Sequence, residues 1–242
     1  MIFHRLVLRY LFHKDDEGFY LIQARDTIRW LQKNGVVRGA GLRVLDLGCG
    51  HGLIGGLLGD AGCDVTFADE EDQVVDRYSG ANFRKVDVNT EDLSLLGQYD
   101  LVICSNVLEH IPSSEKLIEQ IDQILKPGGR LYLTWTNWLS PWGGQDYSPF
   151  HYLGARFGHL VFDRVIGRPR VHTPYVTLFP TYIGRVLRTV RANAGLRIVT
   201  VLPRYYPELR FITRIPVVRE FATWNCLVFV EKLPEKGDGP GN

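Results

Sequence analysis

Val44-Leu45-Asp46-Leu47-Gly48-Cys49-Gly50-His51-Gly52 decides how the rest of this chain is read. An apolar strand runs into an acidic residue, then three alternating glycines, then a helix-like segment from Leu53 to Gly59. Glycines at that point let the backbone turn sharply and let a ligand lie against bare main chain. A dinucleotide fingerprint, Gly-x-Gly-x-x-Gly, fails at its third glycine, where Leu53 stands. A Walker loop fails as well, because neither Lys-Ser nor Lys-Thr follows. An ordinary tight turn is the competing reading, and the rest of the chain decides between them.

Downstream, apolar strands recur at regular intervals and end in acids. Cys63 to Ala68 leads into Asp69-Glu70, and Phe83 to Val88 contains Asp87 at its tip. Tyr99 to Asn106 follows, then Val107-Leu108-Glu109-His110-Ile111-Pro112. Leu117, Ile118, Ile121, Ile124 and Leu125 have helical spacing, and Lys126-Pro127-Gly128-Gly129 predicts a helix stop. Arg130 to Trp135 reads as a fifth strand. A carboxylate at the tip of the strand beside the glycine loop can accept hydrogen bonds from both hydroxyls of a ribose.

Asp46-x-Gly48-x-Gly50-x-Gly52, with the ordered strand tips after it, resembles motif I and its successors in the class I S-adenosylmethionine (SAM) methyltransferases. The match runs over about residues 40–138. The resemblance implies an α/β fold: a Rossmann-like seven-stranded SAM-methyltransferase sheet with N-terminal helices and a lid insertion after the fifth strand. It implies S-adenosylmethionine as cofactor, held by Asp46, Gly48, Cys49, Gly50, Gly52, Asp69, Glu70, Asp87, Val88 and Asn106. In that family the acid at Asp87 takes the adenine amine, and the apolar residue after it, here Val88, flanks the ring.

With 242 residues, 45% of them apolar, the chain can bury one good-sized core. Cys49, Cys63, Cys104 and Cys226 show no Cys-x-x-Cys spacing, which points away from zinc and disulfides and towards reduced, cytoplasmic thiols. The apolar start, interrupted by His4, Arg5 and Arg9, has no cleavage site of a secretory signal, and no run is long enough for a membrane span. The net charge of +1 hides an asymmetry. Residues 1–150 carry 14 Lys and Arg against 21 Asp and Glu, while residues 151–242 carry 14 against 6. Twelve arginines fall between Arg156 and Arg219. Either this is a solvated basic surface, or the acceptor, or the surface presenting it, is anionic. The arginines are not interleaved with a stacking platform, so no nucleic acid is expected.

The methyltransferase domain is expected over 39–232, with a part flanking it on each side and two additions within it. Residues 1–38 read as a helical cap of two pieces split at His13 to Gly18, and 233–242 as a disordered tail. Residues 137–180 form an insertion whose stretch from Trp138 to Tyr152 is dense in aromatics, prolines and glycines, and it reads as the acceptor lid. Ser140-Pro141-Trp142-Gly143-Gly144, with Ser148-Pro149-Phe150-His151-Tyr152-Leu153-Gly154, is similar to actinobacterial-type methyltransferases associated with glycan and cell-envelope gene neighbourhoods. Pro203 to Arg219 mixes apolar residues with arginines, and either packs on the core or makes a peripheral membrane-surface contact.

Methyl transfer from a sulfonium is an in-line displacement, so the protein mainly aligns nucleophile and methyl carbon. A sugar hydroxyl additionally needs a base. His110 is the first candidate, with Glu109 beside it; the alternative is that both only brace the loop. His151 and Asp146 in the lid are second choices. Glu109 and His110 are too few ligands to claim a metal. The expected reaction is O-methylation of a sugar hydroxyl or related polar, anionic small acceptor. O- or N-methylation of an aromatic or natural-product small molecule is the alternative, and a non-catalytic SAM-binding subunit the reading from another class.

Overall fold

The computed structural model describes residues 2–12, 16–80, 82–167 and 171–234. The strands are β1 (Arg43–Leu47), β2 (Asp64–Asp69), β3 (Asn82–Lys85), β4 (Tyr99–Ser105), β5 (Leu125–Thr136), β6 (Leu196–Pro203) and β7 (Asn225–Lys232). They form one sheet in the order β3-β2-β1-β4-β5-β7-β6. β7 runs antiparallel to both its neighbours, and the other pairings are parallel. Strands covered on both faces read as unbroken apolar runs, as Leu101 to Cys104 in β4 does.

The helices are α1 (Phe3–Phe12), α2 (Asp16–Lys33), α3 (Leu53–Asp60), α4 (Ser114–Ile124), α5 (Gly158–Ile166), α6 (Ile183–Ala192) and α7 (Pro216–Ala222). Side chains alternate along β1. Leu45 and Leu47 enter the core shared with α4 and α6, whereas Val44 enters the core shared with α2 and α3. Asp46 lies on Val44's side by the same alternation, and so meets the first turn of α3. β1 is flanked by β2 and β4, which makes the carboxyl end of β1 the crevice where open α/β sheets take ligands. The Ser113 hydroxyl caps α4 by accepting from Lys116 N at 3.3 Å. The Glu220 carboxylate receives Ile183 N and Gly184 N at the start of α6, at 3.0 and 2.7 Å.

Several boundaries differ from the sequence expectation. β3 ends at Lys85, so Asp87 and Val88 belong to the turn after it. Lys126 to Gly129 does end α4, yet those residues form the irregular start of β5, whose register against β4 shifts between Tyr99 and Leu101. α2 begins at Asp16, inside the expected break; His13 to Asp15 lie outside the described residues. The expected tail lies almost wholly outside them too. The insertion is more than a loop: it holds α5 and packs its own core of Trp138, Tyr147, Ala155, Phe162 and Leu178. In the stretch from Pro203 to Arg219, Ile212 packs inward, but Phe211, Ile215 and Val217 stay exposed. No helix among the described residues is long and apolar enough to cross a membrane.

Candidate active site

A cavity of about 990 Å³ opens at the carboxyl end of β1 and β4. Its floor is the glycine loop, with Asp46, Gly48, Cys49, Gly50 and His51 on the wall. Gly48, Gly50 and Gly52 have φ of 69°, 48° and 69°, in the left-handed region that other L-residues rarely adopt. A Cβ on Gly48 would sit 2.3 Å from Val107 Cγ2, so this glycine lets the β4 loop close over the turn. A Cβ on Gly50 would meet nothing within 4 Å, so Gly50 offers bare main chain to open space. Gly52 is instead the residue before α3 and packs against Val74 and Phe67.

Two acids hold this loop in shape. Asp69 Oδ2 accepts from Gly50 N at 2.7 Å, and its Oδ1 from Glu70 N at 2.8 Å. Each oxygen keeps a further lone pair, so the fixed carboxylate can still accept ribose hydroxyls. Asp46 is buried, and its Oδ2 accepts from Gly55 N at 2.7 Å. Burial pushes its carboxyl up to about 7, opposed by the Gly55 bond and reinforced by Asp69. The Cys49 thiol is pushed up by burial and then by both acids, so it stays protonated and unreactive.

Asp69, Glu70, Asp87 and Val88 sit beside the cavity rather than on its wall. Asp87 accepts from Asn89 N at 2.8 Å and from Thr90 Oγ1 at 2.9 Å, and these bonds hold its carboxyl below the usual range. Burial, followed by the Asp87 carboxylate, pushes Glu70 up. Val88 packs against the main core.

The loop after β4 carries the reactive groups. His110 Nδ1 lies 2.7 Å from the Thr177 carbonyl oxygen. A carbonyl only accepts, so Nδ1 carries a proton, and in the neutral ring Nε2 keeps its lone pair. Gln145 Nε2 stands 3.4 Å from His110 Nε2, a long contact a substrate can displace. Gln145 itself has φ 49°, a strained conformation for a residue with a Cβ. Glu109 is buried: Oε1 accepts from Thr136 N at 2.8 Å, while Oε2 has no hydrogen-bond partner among the described residues. Burial raises its pKa and the His110 charge opposes this.

The lid candidates separate. Asp146 lines the cavity, but its two oxygens accept from Val171 N at 2.9 Å and His172 N at 3.3 Å, bracing the lid. His151 is 1% exposed and off the cavity wall; its Nε2 meets the Ser140 carbonyl at 3.0 Å, and burial lowers its pKa. It fills the lid core and has no path to an acceptor, so its expected catalytic part is withdrawn. Sequence reasoning passed over His172, whose ring lies 5.1 Å from that of His110 and whose pKa is lowered first by burial and then by His110.

It also passed over the partners of Asn106, an expected cofactor residue, and the buried Arg204 beneath the cavity. Asn106, at φ 60°, donates from Nδ2 to Gln23 Oε1 at 3.0 Å and accepts from Asn225 Nδ2 at 2.7 Å. Arg204, 2% exposed, donates to Gln23 Oε1, Ser105 Oγ and Thr134 Oγ1, each at 3.2 Å, and to Thr27 Oγ1 at 2.8 Å. The aromatic wall comes from four separate segments: Tyr20, Trp142, Tyr205 and Trp224. Trp142 stacks on Trp224 with centroids 3.9 Å apart. No lysine or arginine among the described residues lines the cavity. Arg185 pairs with Glu115, Arg197 with Glu231 and Arg219 with Glu220 instead.

Known proteins agree with this geometry. A family profile for the methyltransferase domain matches residues 9–201. An uncharacterized methyltransferase of Mycobacteroides abscessus is 30% identical over 226 residues, 88% of this chain and 86% of that protein. Among solved structures, magnesium protoporphyrin IX methyltransferase from Synechocystis with bound S-adenosylhomocysteine superposes with TM-score 0.55 at 18% identity, covering 88% of this chain and 83% of that one. A putative sarcosine dimethylglycine methyltransferase from Galdieria sulphuraria gives 0.58 at 15% identity, covering 90% and 88%. Those two likenesses show the fold. With the glycine loop open at Gly50 and a carboxylate held beside it, the chain belongs to the methyltransferase-domain family, in its class I SAM-dependent form, and S-adenosylmethionine is its cofactor.

Proposed function

We propose that this methyltransferase methylates a hydroxyl, of a sugar in the first instance, with His110 as the base. The observation that carries this is the tautomer: the Thr177 carbonyl holds the proton on Nδ1 and leaves Nε2 as an acceptor on the cavity wall. When bound, S-adenosylmethionine supplies a methyl group on a positively charged sulfur. His110 Nε2 would take the proton of the acceptor hydroxyl, while the glycine loop and Asp69 would hold the cofactor that supplies the methyl group. Glu109 on the cavity wall holds the loop beside His110 through its bond to Thr136 N. Trp142, Trp224 and Tyr20 offer apolar ring faces on which the CH surface of a sugar can stack.

The same ring faces favour a second reading, a flat aromatic acceptor carrying a hydroxyl or amine. A phenol or amine needs less help from a base, so the two readings diverge at His110. His110→Gln should lower turnover about a hundredfold or more and leave SAM affinity, measured by calorimetry, nearly unchanged. Unchanged turnover would remove the base and favour the aromatic reading; loss of SAM affinity in parallel would make His110 a brace.

A further inference from the structure

The outer face of the lid is apolar where it meets solvent. α5 turns Gly158 and Phe162 into the lid core, while Phe157 just before it, Leu160 on its far side and Val165 in its last turn are 60%, 55% and 65% exposed. Exposed apolar side chains gathered on one surface ordinarily mark an interaction site. The surface continues beyond α5. The Arg156 guanidinium lies 5.7 Å over the Tyr175 ring, and Tyr175 and Val176 are themselves exposed. That turn also supplies the Thr177 carbonyl that holds His110. Val171, 78% exposed, forms part of the cavity wall. The apolar patch and the mouth of the cavity are thus built by the same short segment of chain.

Charge selects what covers this face. Arg156, Asp163 and Arg164 are exposed within it, a net positive charge, whereas no lysine or arginine among the described residues lines the cavity. Positive charge therefore sits on the surface that receives the acceptor, not in the pocket that holds it. Two copies of the chain meeting through this face would bring like charges together. An anionic bilayer complements both features, with arginines among the headgroups and Phe157 and Leu160 at the acyl boundary.

We propose that the lid face docks on an anionic membrane surface, and that the acceptor is an amphiphile whose hydroxylated headgroup enters the cavity from that surface. This rests on the hydroxyl-methylation reading and names the substrate class for the same site.

The test is co-sedimentation of the purified chain with phosphatidylcholine vesicles, with and without about one third phosphatidylglycerol. Partitioning should be about twentyfold stronger on the anionic vesicles, and Arg156→Gln and Arg164→Gln should each cost about fivefold. Phe157→Ser combined with Leu160→Ser should weaken it about tenfold or more. All four positions are on the surface, and calorimetric SAM affinity in each variant checks that the fold is intact. Equal partitioning on both vesicles, or none, overturns the docking proposal. So does a dimer in analytical ultracentrifugation that the double variant dissolves. The hydroxyl-methylation reading fails separately, if His110→Gln still binds anionic vesicles and turns over SAM at the parent rate.

Discussion

The cofactor half and the lid half of the cavity are made in different ways. On the cofactor side, one short stretch from Asp46 to Gly52 builds its own turn, and Asp69 secures it through a bond to Gly50 N. On the lid side no stretch is sufficient alone: Trp142 finds Trp224, His110 finds Thr177, and Asp146 finds Val171 and His172. Local backbone demands leave a mark in the sequence, because only glycine relieves a left-handed turn cheaply. Contacts across many residues leave none.

The largest effect should appear beneath the cavity, where Arg204 ties α2 to the sheet. Arg204→Met would leave Gln23, Ser105, Thr134 and Thr27 without their shared donor under a buried floor. Breaking such a network costs about 3–5 kcal/mol, measurable by denaturant unfolding. A loss below about 1 kcal/mol would mean that this network does not hold α2 to the sheet.

Asp46 tests the cofactor half by pH. Its folded pKa of about 7 lies above the unfolded value, so between the two the folded chain keeps a proton the unfolded chain has released. This group's contribution is therefore present at low pH and falls as pH rises from about 4 to 7, by about 4 kcal/mol at most. Asp46→Asn should flatten the stability slope in that window relative to the parent. An unaltered slope would show that Asp46 is ionised throughout.

Asp69→Ala comes next. It removes the expected ribose acceptor and the Gly50 anchor, and SAM binding should weaken by about 1.5–3 kcal/mol. Full affinity by calorimetry would break the cofactor assignment. The smallest effect sharpens the contrast from the other side. Trp142→Ala removes one stacked ring and should raise the acceptor's KM by about 1 kcal/mol's worth while changing SAM affinity little. An equal change in both would mean that the halves do not divide the labour.

The sheet was legible because strands buried on both faces are apolar runs, and the turn at their tips needs glycine and acid. Strand ends were less so: β3 stops before Asp87 because Asp87 spends its carboxylate on the turn to Asn89 and Thr90. His110 was found from its position after β4, but its tautomer was not readable, since Thr177 lies 67 residues away. His151 looked like a base from composition and proved to be core, because exposure depends on what else packs there. Gln23, Gln145, His172 and Arg204 carried no local signal at all.

By itself, then, the sequence determined the order of strands and helices, the nucleoside-binding turn and the family. Each of these depends on residues close together in the chain, through periodicity and backbone conformation. Tertiary structure alone decided which of the candidate bases reaches the cavity, which arginines are spent on ion pairs, and which apolar residues stay in water. Those outcomes depend on which distant segments meet, and no short stretch of sequence encodes that meeting.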